Sequence, residues 1–204
     1  MWSGPRNLST ALMRSFENRE DTKVWDEPFY AYYLKETKKN HPLANEIIKK
    51  YETNLEKIID LVTAEKDFIY FQKHMSHHII KKIPINWITK GINCFLIRHP
   101  KEVLLSYIQK NDLIDSNDLG YPAQLRLFNY VKTSNKKILV IDAKDLSEKP
   151  EIILKKICKK INIPFTEKML NWPKGRRDSD GIWEKIWYKN VKSSTSFNKI
   201  LNKE

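Results

Sequence analysis

The 204-residue sequence predicts an α/β fold with a central, mainly parallel sheet flanked by helices. Three observations carry this. Phe68 to Phe71, Ile92 to Ile97 and Ile138 to Ile141 are short apolar runs with the length and the β-branched or aromatic content of buried strands. Segments with helical apolar spacing lie between them, and strands alternating with helices imply a parallel sheet. The runs end in Lys73-His74, Arg98 and Asp142, and ligands of such sheets bind beyond the carboxyl ends of the strands.

The first sixteen residues, Met1 to Phe16, read as a phosphate-binding loop entering a helix. Ser3, Gly4 and Pro5 form turns, Asn7, Ser9 and Thr10 can cap a helix, and Leu8, Ala11, Leu12 and Phe16 recur on one helical face. A helix N-terminus offers unpaired N–H groups to an anion. The common nucleotide loop, G-x-x-x-x-G-K-[ST], needs a second glycine and a lysine; here Gly4 stands alone and Arg6 is the cation. Only Met1 and Trp2 precede the turn, so either the strand that leads into such loops is nearly absent or the start of the chain is set too late.

Further along, Val24 to Pro28 predicts a short strand ending in acids, with Pro28 at the first position of a helix reaching Thr37. Ile47, Ile48, Tyr51, Leu55, Ile58, Ile59 and Val62 predict one long amphipathic helix from Asn45 to about Glu65. Helices are expected over Pro100 to Lys110, Pro122 to Ser134 and Pro150 to Ile161. Residues 1–204 are read as one domain whose loop-rich, aromatic segment from about Pro173 wraps back over the sheet and closes over the site.

Composition narrows the class. Apolar residues make up 41% and charged residues 30%, a globular balance, and no apolar run approaches the roughly 20 residues of a membrane span. No basic-then-apolar leader opens the chain, which points to the cytoplasm, and Cys94 and Cys158 are expected as buried thiols. A formal charge of +12 favours anionic partners: nucleic acid, a membrane surface or a phosphorylated small molecule. Many lysines lie in pairs, several of them on polar helix faces, which favours solvated surfaces over nucleic-acid binding.

Cations dominate the strand ends, where a metal-dependent nucleotide enzyme places an aspartate for Mg²⁺. Taken together, Ser3 to Thr10, the segment Arg98-His99-Pro100-Lys101-Glu102-Val103-Leu104-Leu105-Ser106-Tyr107 and the stretch Lys174 to Trp183 resemble the sulfotransferase family. Narrower likenesses, Trp2-Ser3-Gly4-Pro5-Arg6-Asn7 and Trp25 to Tyr30, point to sulfotransferase-like proteins related to a domain beside aminotransferase-like modules in plants.

The resemblance implies a three-layer fold like that of P-loop nucleotide hydrolases. It also implies a 3'-phosphoadenosine 5'-phosphosulfate (PAPS) donor, a small-molecule acceptor and no metal. Ser3, Gly4, Pro5, Arg6, Asn7, Leu8, Ser9 and Thr10 would form the phosphosulfate loop, with Arg6 in place of the family's lysine. Arg98 and Ser106 would hold the 3'-phosphate, and Arg176, Arg177, Gly181 and Trp183 would close over the adenosine. Lys73 or Arg6 would stabilise charge on the bridging oxygen, and His74 or Glu27 would serve as base, with His77 next.

Plainer roles compete. Asp26 and Glu27 can cap the helix after Pro28. His74 and His78 share a face if their segment is helical, but three zinc ligands are not assembled. Asp142 after an apolar strand suits the Mg²⁺-holding aspartate of a P-loop kinase, the main enzymatic alternative. A noncatalytic nucleotide- or RNA-binding protein is the second.

Overall fold

Five parallel strands form the centre: β1 (Trp2–Ser3), β2 (Thr22–Asp26), β3 (Ile69–Met75), β4 (Asn93–Ile97) and β5 (Ile138–Asp142). Their order is β2-β3-β1-β4-β5. This computed structural model describes residues 1–108, 116–134 and 136–197. Although β1 is only two residues long, it is the middle strand, with Trp2 opposite His74 on one side and Phe95 on the other. The amino nitrogen of Met1 donates to Gln72 O at 2.8 Å and His74 N donates to Met1 O at 2.9 Å, extending the ladder by a residue. The loop that follows is therefore anchored from both sides despite its short strand.

Alternation along β4 sorts the core into two layers. Phe95 joins Trp2, Phe29, Ile58, Val62, Trp87, Leu127 and Val131 on one face, while its neighbour Leu96 joins Leu12, Phe16, Leu139, Ile141, Leu154 and Met169 on the other. The first layer is covered by α2 (Tyr30–Thr37), α4 (Leu55–Thr63) and α6 (Tyr121–Thr133). The second is covered by α1 (Ser9–Glu17), α7 (Ala143–Glu148) and α8 (Pro150–Ile161). No helix among the described residues is long and apolar enough to cross a membrane.

The predicted helix from Asn45 to Glu65 is two helices, α3 (Ala44–Lys50) and α4. Their apolar stripes serve different cores. Ile47, Ile48 and Tyr51 pack with Tyr30, Leu34 and Trp183, whereas Leu55, Ile58, Ile59 and Val62 pack with Trp2 and Trp87. One straight rod cannot present a single periodic stripe to both clusters. The chain breaks at Tyr51, whose backbone is extended, and restarts where Asn54 Oδ1 accepts from Lys57 N at 3.0 Å.

Smaller differences are local. β2 begins two residues earlier than expected, and α2 starts at Tyr30 because Glu27 takes a left-handed φ of 51° before Pro28. α5 (Pro100–Ile108) runs to the edge of the described residues, so the expected turn to Lys110 lies outside them. Asp142 caps α7 by accepting from Lys144 N at 2.7 Å. The C-terminal segment contains short helices α9 (Glu184–Trp187) and α10 (Lys189–Ser193).

Candidate active site

The loop after β1 leaves the middle of the sheet between the ends of β3 and β4. Only glycine fits at position 4, because a Cβ there would lie 2.4 Å from the Leu119 carbonyl oxygen. Arg6 and Leu8 both take left-handed conformations, with φ of 64° and 62°. Such alternation turns successive N–H groups toward one concavity. α1 then begins with no side-chain cap and no acid in its first turn. Asn7, Ser9 and Thr10, expected as caps, do not cap it; Asn7 is buried with Nδ2 donating to Leu96 O at 3.4 Å, and its Oδ1 has no partner. An uncapped helix start leaves its first N–H groups without side-chain partners, a chemistry that suits an anion.

Two arginines frame that start. Arg6 Nε donates to Ser106 Oγ at 2.9 Å, and Arg98 Nη1 donates to the Arg6 carbonyl at 2.9 Å. Ser106 reaches Arg6 because it lies two turns into α5, which starts directly beyond the β4 end. Burial, and then the charge of Arg98, lower the Arg6 pKa, so the two guanidinium groups repel and a shared anion would relieve both. Arg98 Nε is held by Glu102 at 2.9 Å.

A second, fully buried network lies at the ends of β2 and β3. Register places Asp26 opposite Lys73, and Lys73 Nζ donates to Asp26 Oδ1 at 2.8 Å, Glu27 Oε1 at 2.5 Å and the Tyr188 hydroxyl at 2.5 Å. Asp26 also accepts from Tyr188 at 2.6 Å and from Trp183 Nε1 at 3.1 Å. Burial pushes the Glu27 carboxyl up to about 7, the adjacent Asp26 charge adds to this, and Lys73 opposes it. Burial pulls the Lys73 pKa down, but Asp26 and Glu27 outweigh it and hold the ammonium charged. Lys73, expected to face the donor, has all three of its N–H bonds occupied by protein acceptors.

His74 points to the opposite face of the sheet from Lys73. Its ring stacks on Trp2 at 4.5 Å, packs beside Phe29 and Trp87, and places Nε2 3.0 Å from Gln72 Oε1. Burial holds its pKa well below 6.5. The sequence puts Lys73 and His74 side by side, and strand alternation separates them. His78 instead comes to the acid network, with Nδ1 3.9 Å from Glu27 Oε2 and its ring stacked on Tyr30 at 4.5 Å. His77 packs edge-on against Tyr33 at 5.5 Å.

The C-terminal segment folds over the acid network. Arg14, wholly buried in α1, holds Asp180 with two bonds of 2.5 and 2.6 Å, and Asp180 in turn accepts from Arg177 N at 2.9 Å. Trp183 packs edge-on to Tyr30, and Gly181 lies so close beneath it that a Cβ would meet its ring at 2.2 Å. Arg177 Nε lies 4.0 Å from Glu17 and Arg176 Nε 4.0 Å from Glu184. No hydrogen bond or ion pair joins either arginine to Arg6, Arg98 or Ser106 among the described residues. The structure joins the loop, Arg98 and Ser106 directly, while Arg177 and Asp180 tie the C-terminal segment to Glu17 and Arg14 of the helix that follows the loop. Arg14, Asp180 and Tyr188 were not singled out from the sequence as site residues. A charged residue amid the apolar positions of the first helix was the one available signal.

A parallel α/β sheet whose middle strand leads into an uncapped helix start, framed by two arginines, defines the class of fold and the candidate site. The chain belongs to the sulfotransferase domain family, whose model matches residues 1–200. It is 36% identical to branched-chain-amino-acid aminotransferase-like protein 1 of Arabidopsis thaliana and 34% identical to protein 2, each match covering 96% of this chain. It spans 36% and 35% of the length of those two relatives, about a third. Among solved structures, the sulfotransferase domain from the curacin biosynthetic pathway matches with a TM-score of 0.57 at 15% identity, over 96% of this chain and 82% of that one. The sulfotransferase domain of the Synechococcus PCC 7002 olefin synthase matches with 0.59 at 15% identity, over 92% and 86%. These likenesses establish the shared fold.

Proposed function

We propose that this chain transfers a sulfuryl group from PAPS to a hydroxyl or amine of a small acceptor. The observation that carries this is the meeting of Arg6, Ser106 and Arg98 around the uncapped start of α1. The loop amides and Arg6 suit the phosphosulfate, while Arg98 and Ser106 suit a second phosphate on the ribose. The unpartnered Asn7 Oδ1 is a further polar group available to a ligand there.

Of the two predicted bases, Glu27 and His74, Glu27 is the better one. A base must reach the proton and must titrate near the working pH. Glu27 titrates at about 7 because it is buried beside Asp26. His74 is enclosed by Trp2, Phe29 and Trp87 and disfavours protonation. In the proposed step Glu27 takes the acceptor's proton as the acceptor atom bonds to sulfur. The bond from sulfur to the bridging oxygen breaks, and the loop amides and Arg6 stabilise the charge left on the departing phosphate.

Asp142 does not favour the kinase alternative. Its carboxylate caps α7 from β5, an edge strand separated from β1 by β4. The deciding experiment compares thermal shifts with 3'-phosphoadenosine 5'-phosphate and with ATP, with and without Mg²⁺. Stabilisation by the bisphosphate in chelator is expected; a preference for ATP with Mg²⁺ would sink the proposal in favour of a kinase. Strong salt-dependent RNA binding without nucleotide affinity would favour the noncatalytic alternative.

A further inference from the structure

We propose that Tyr188 and Lys73 are positioning residues for Glu27, so that the C-terminal segment completes the active site rather than merely covering it. This rests on the reading of Glu27 as the base. Glu27 sits at the end of an edge strand in a left-handed conformation, and its own N–H donates to Lys73 O at 2.9 Å. That turn directs its carboxylate back to the Lys73 ammonium instead of into solvent. Lys73 divides its three donors among Asp26, Glu27 and Tyr188 and has none to offer a substrate. Its charge therefore acts through Glu27.

Tyr188, between α9 and α10, closes the network. Its hydroxyl accepts from Lys73, donates to Asp26 and lies 3.5 Å from Glu27 Oε1, while its ring lies 4.9 Å from Lys73 Nζ. The groups facing Glu27 are Asp26 from β2, Lys73 from β3, His78 from the turn after β3, Tyr30 from α2 and Tyr188. Only Tyr188 belongs to the C-terminal segment. Lys73 favours the ionised carboxylate, whereas burial and Asp26 oppose it; the single Tyr188 proton goes to Asp26, so the hydroxyl acts on Glu27 indirectly, by drawing one Lys73 N–H to itself and by bonding the neighbouring acid. Loss of the hydroxyl with retention of the ring frees a Lys73 N–H toward Glu27 and removes a bond to the competing Asp26, and should lower the pH at which Glu27 ionises, without touching the donor loop.

The test is a carbon-13 NMR titration of the glutamate carboxyls in the full chain, with the Glu27 signal assigned by its loss in Glu27→Gln. Tyr188→Phe is expected to lower the Glu27 midpoint by about half a pH unit, and Lys73→Met to raise it. Binding of 3'-phosphoadenosine 5'-phosphate to Tyr188→Phe should match wild type, and the acid limb of transfer to 2-naphthol, used as a probe acceptor, should move with the midpoint. A folded Tyr188→Phe with an unchanged Glu27 midpoint overturns the inference even where Glu27→Gln is inactive. Should Lys73→Met not fold, Tyr188→Phe decides alone. If instead Glu27→Gln transfers to 2-naphthol at the wild-type rate, Glu27 is not the base and the proposed function of this site falls, whatever Tyr188 does.

Discussion

The ammonium of Lys73 lies 2.5 Å from the Glu27 carboxylate, and both groups are buried at the carboxyl end of the sheet. Asp26, 2.8 Å from the same nitrogen, makes the cluster one cation between two acids. Glu27 absorbs the imbalance, since two adjacent carboxylates in a dry site resist ionising together. Burial foremost, with the Asp26 charge adding to it against the pull of Lys73, brings a carboxyl with an ordinary value of 4.5 to about 7.

Glu27→Gln should consequently lower transfer by roughly 10²–10⁴-fold while the affinity for 3'-phosphoadenosine 5'-phosphate stays within twofold or so. In the wild type the rate should rise with pH through about 7 as the Glu27 carboxyl ionises. A flat profile from pH 5 to 9, or an active Glu27→Gln, would show that another group takes the proton.

Glu102 is the internal partner of Arg98 and would share that guanidinium with a bound phosphate. Arg98→Ala should weaken bisphosphate binding by about tenfold or more, the value of a charge-assisted hydrogen bond. Glu102→Gln should strengthen it at low salt, with the gain shrinking as ionic strength rises. Calorimetry at two salt concentrations measures both; weaker binding by Glu102→Gln would mean that Glu102 orients Arg98 rather than competing for it.

Acid should destabilise the fold through its buried imidazoles. His74, His77 and His78 all lie below the ordinary 6.5, chiefly because burial penalises their charge, with His77 at about 3. The unfolded chain therefore binds protons that the folded chain refuses. Their stabilising contribution is complete above pH 6.5 and is lost as pH falls, by about 1.4 kcal/mol per pH unit for each fully mismatched histidine. Glu27 acts oppositely from about 7 down to 4.5, since folding favours its protonated form. Urea midpoints should thus decline below pH 6.5 and steepen below 4.5; His77→Phe should flatten the slope.

The Arg14–Asp180 pair ties α1 to the C-terminal segment with both side chains essentially inaccessible. Asp180→Ala leaves a buried guanidinium with Glu17 as its remaining ion-pair partner. It should cost about 3–5 kcal/mol. Chemical denaturation of Asp180→Ala and of the double variant Arg14→Met/Asp180→Leu provides the check, with recovery expected in the double variant.

Much of this architecture was legible in local pattern. The apolar runs marked β3, β4 and β5, and Pro150 to Ile161 read as the helix that forms, because propensity, spacing and a proline at the first position agree there. Local pattern failed over 44–63, where one apolar period runs through two helices that serve separate cores. It also joined Lys73 to His74 as one functional end, a pairing that strand alternation undoes.

By itself the sequence determined an α/β chain with a glycine turn entering a helix, an arginine beyond an apolar strand and a serine two helical turns later. Each depends on neighbours within about ten residues, where backbone sterics and side-chain period suffice. Tertiary structure alone decided that Lys73 is bound to Asp26, Glu27 and Tyr188, that His74 lies in the aromatic layer, and that Arg14 clasps Asp180. The ion pairs among them join residues 46 to 166 positions apart. Which charges share one low-dielectric site, and so which of them titrates, follows from strand register and helix docking and from no local pattern.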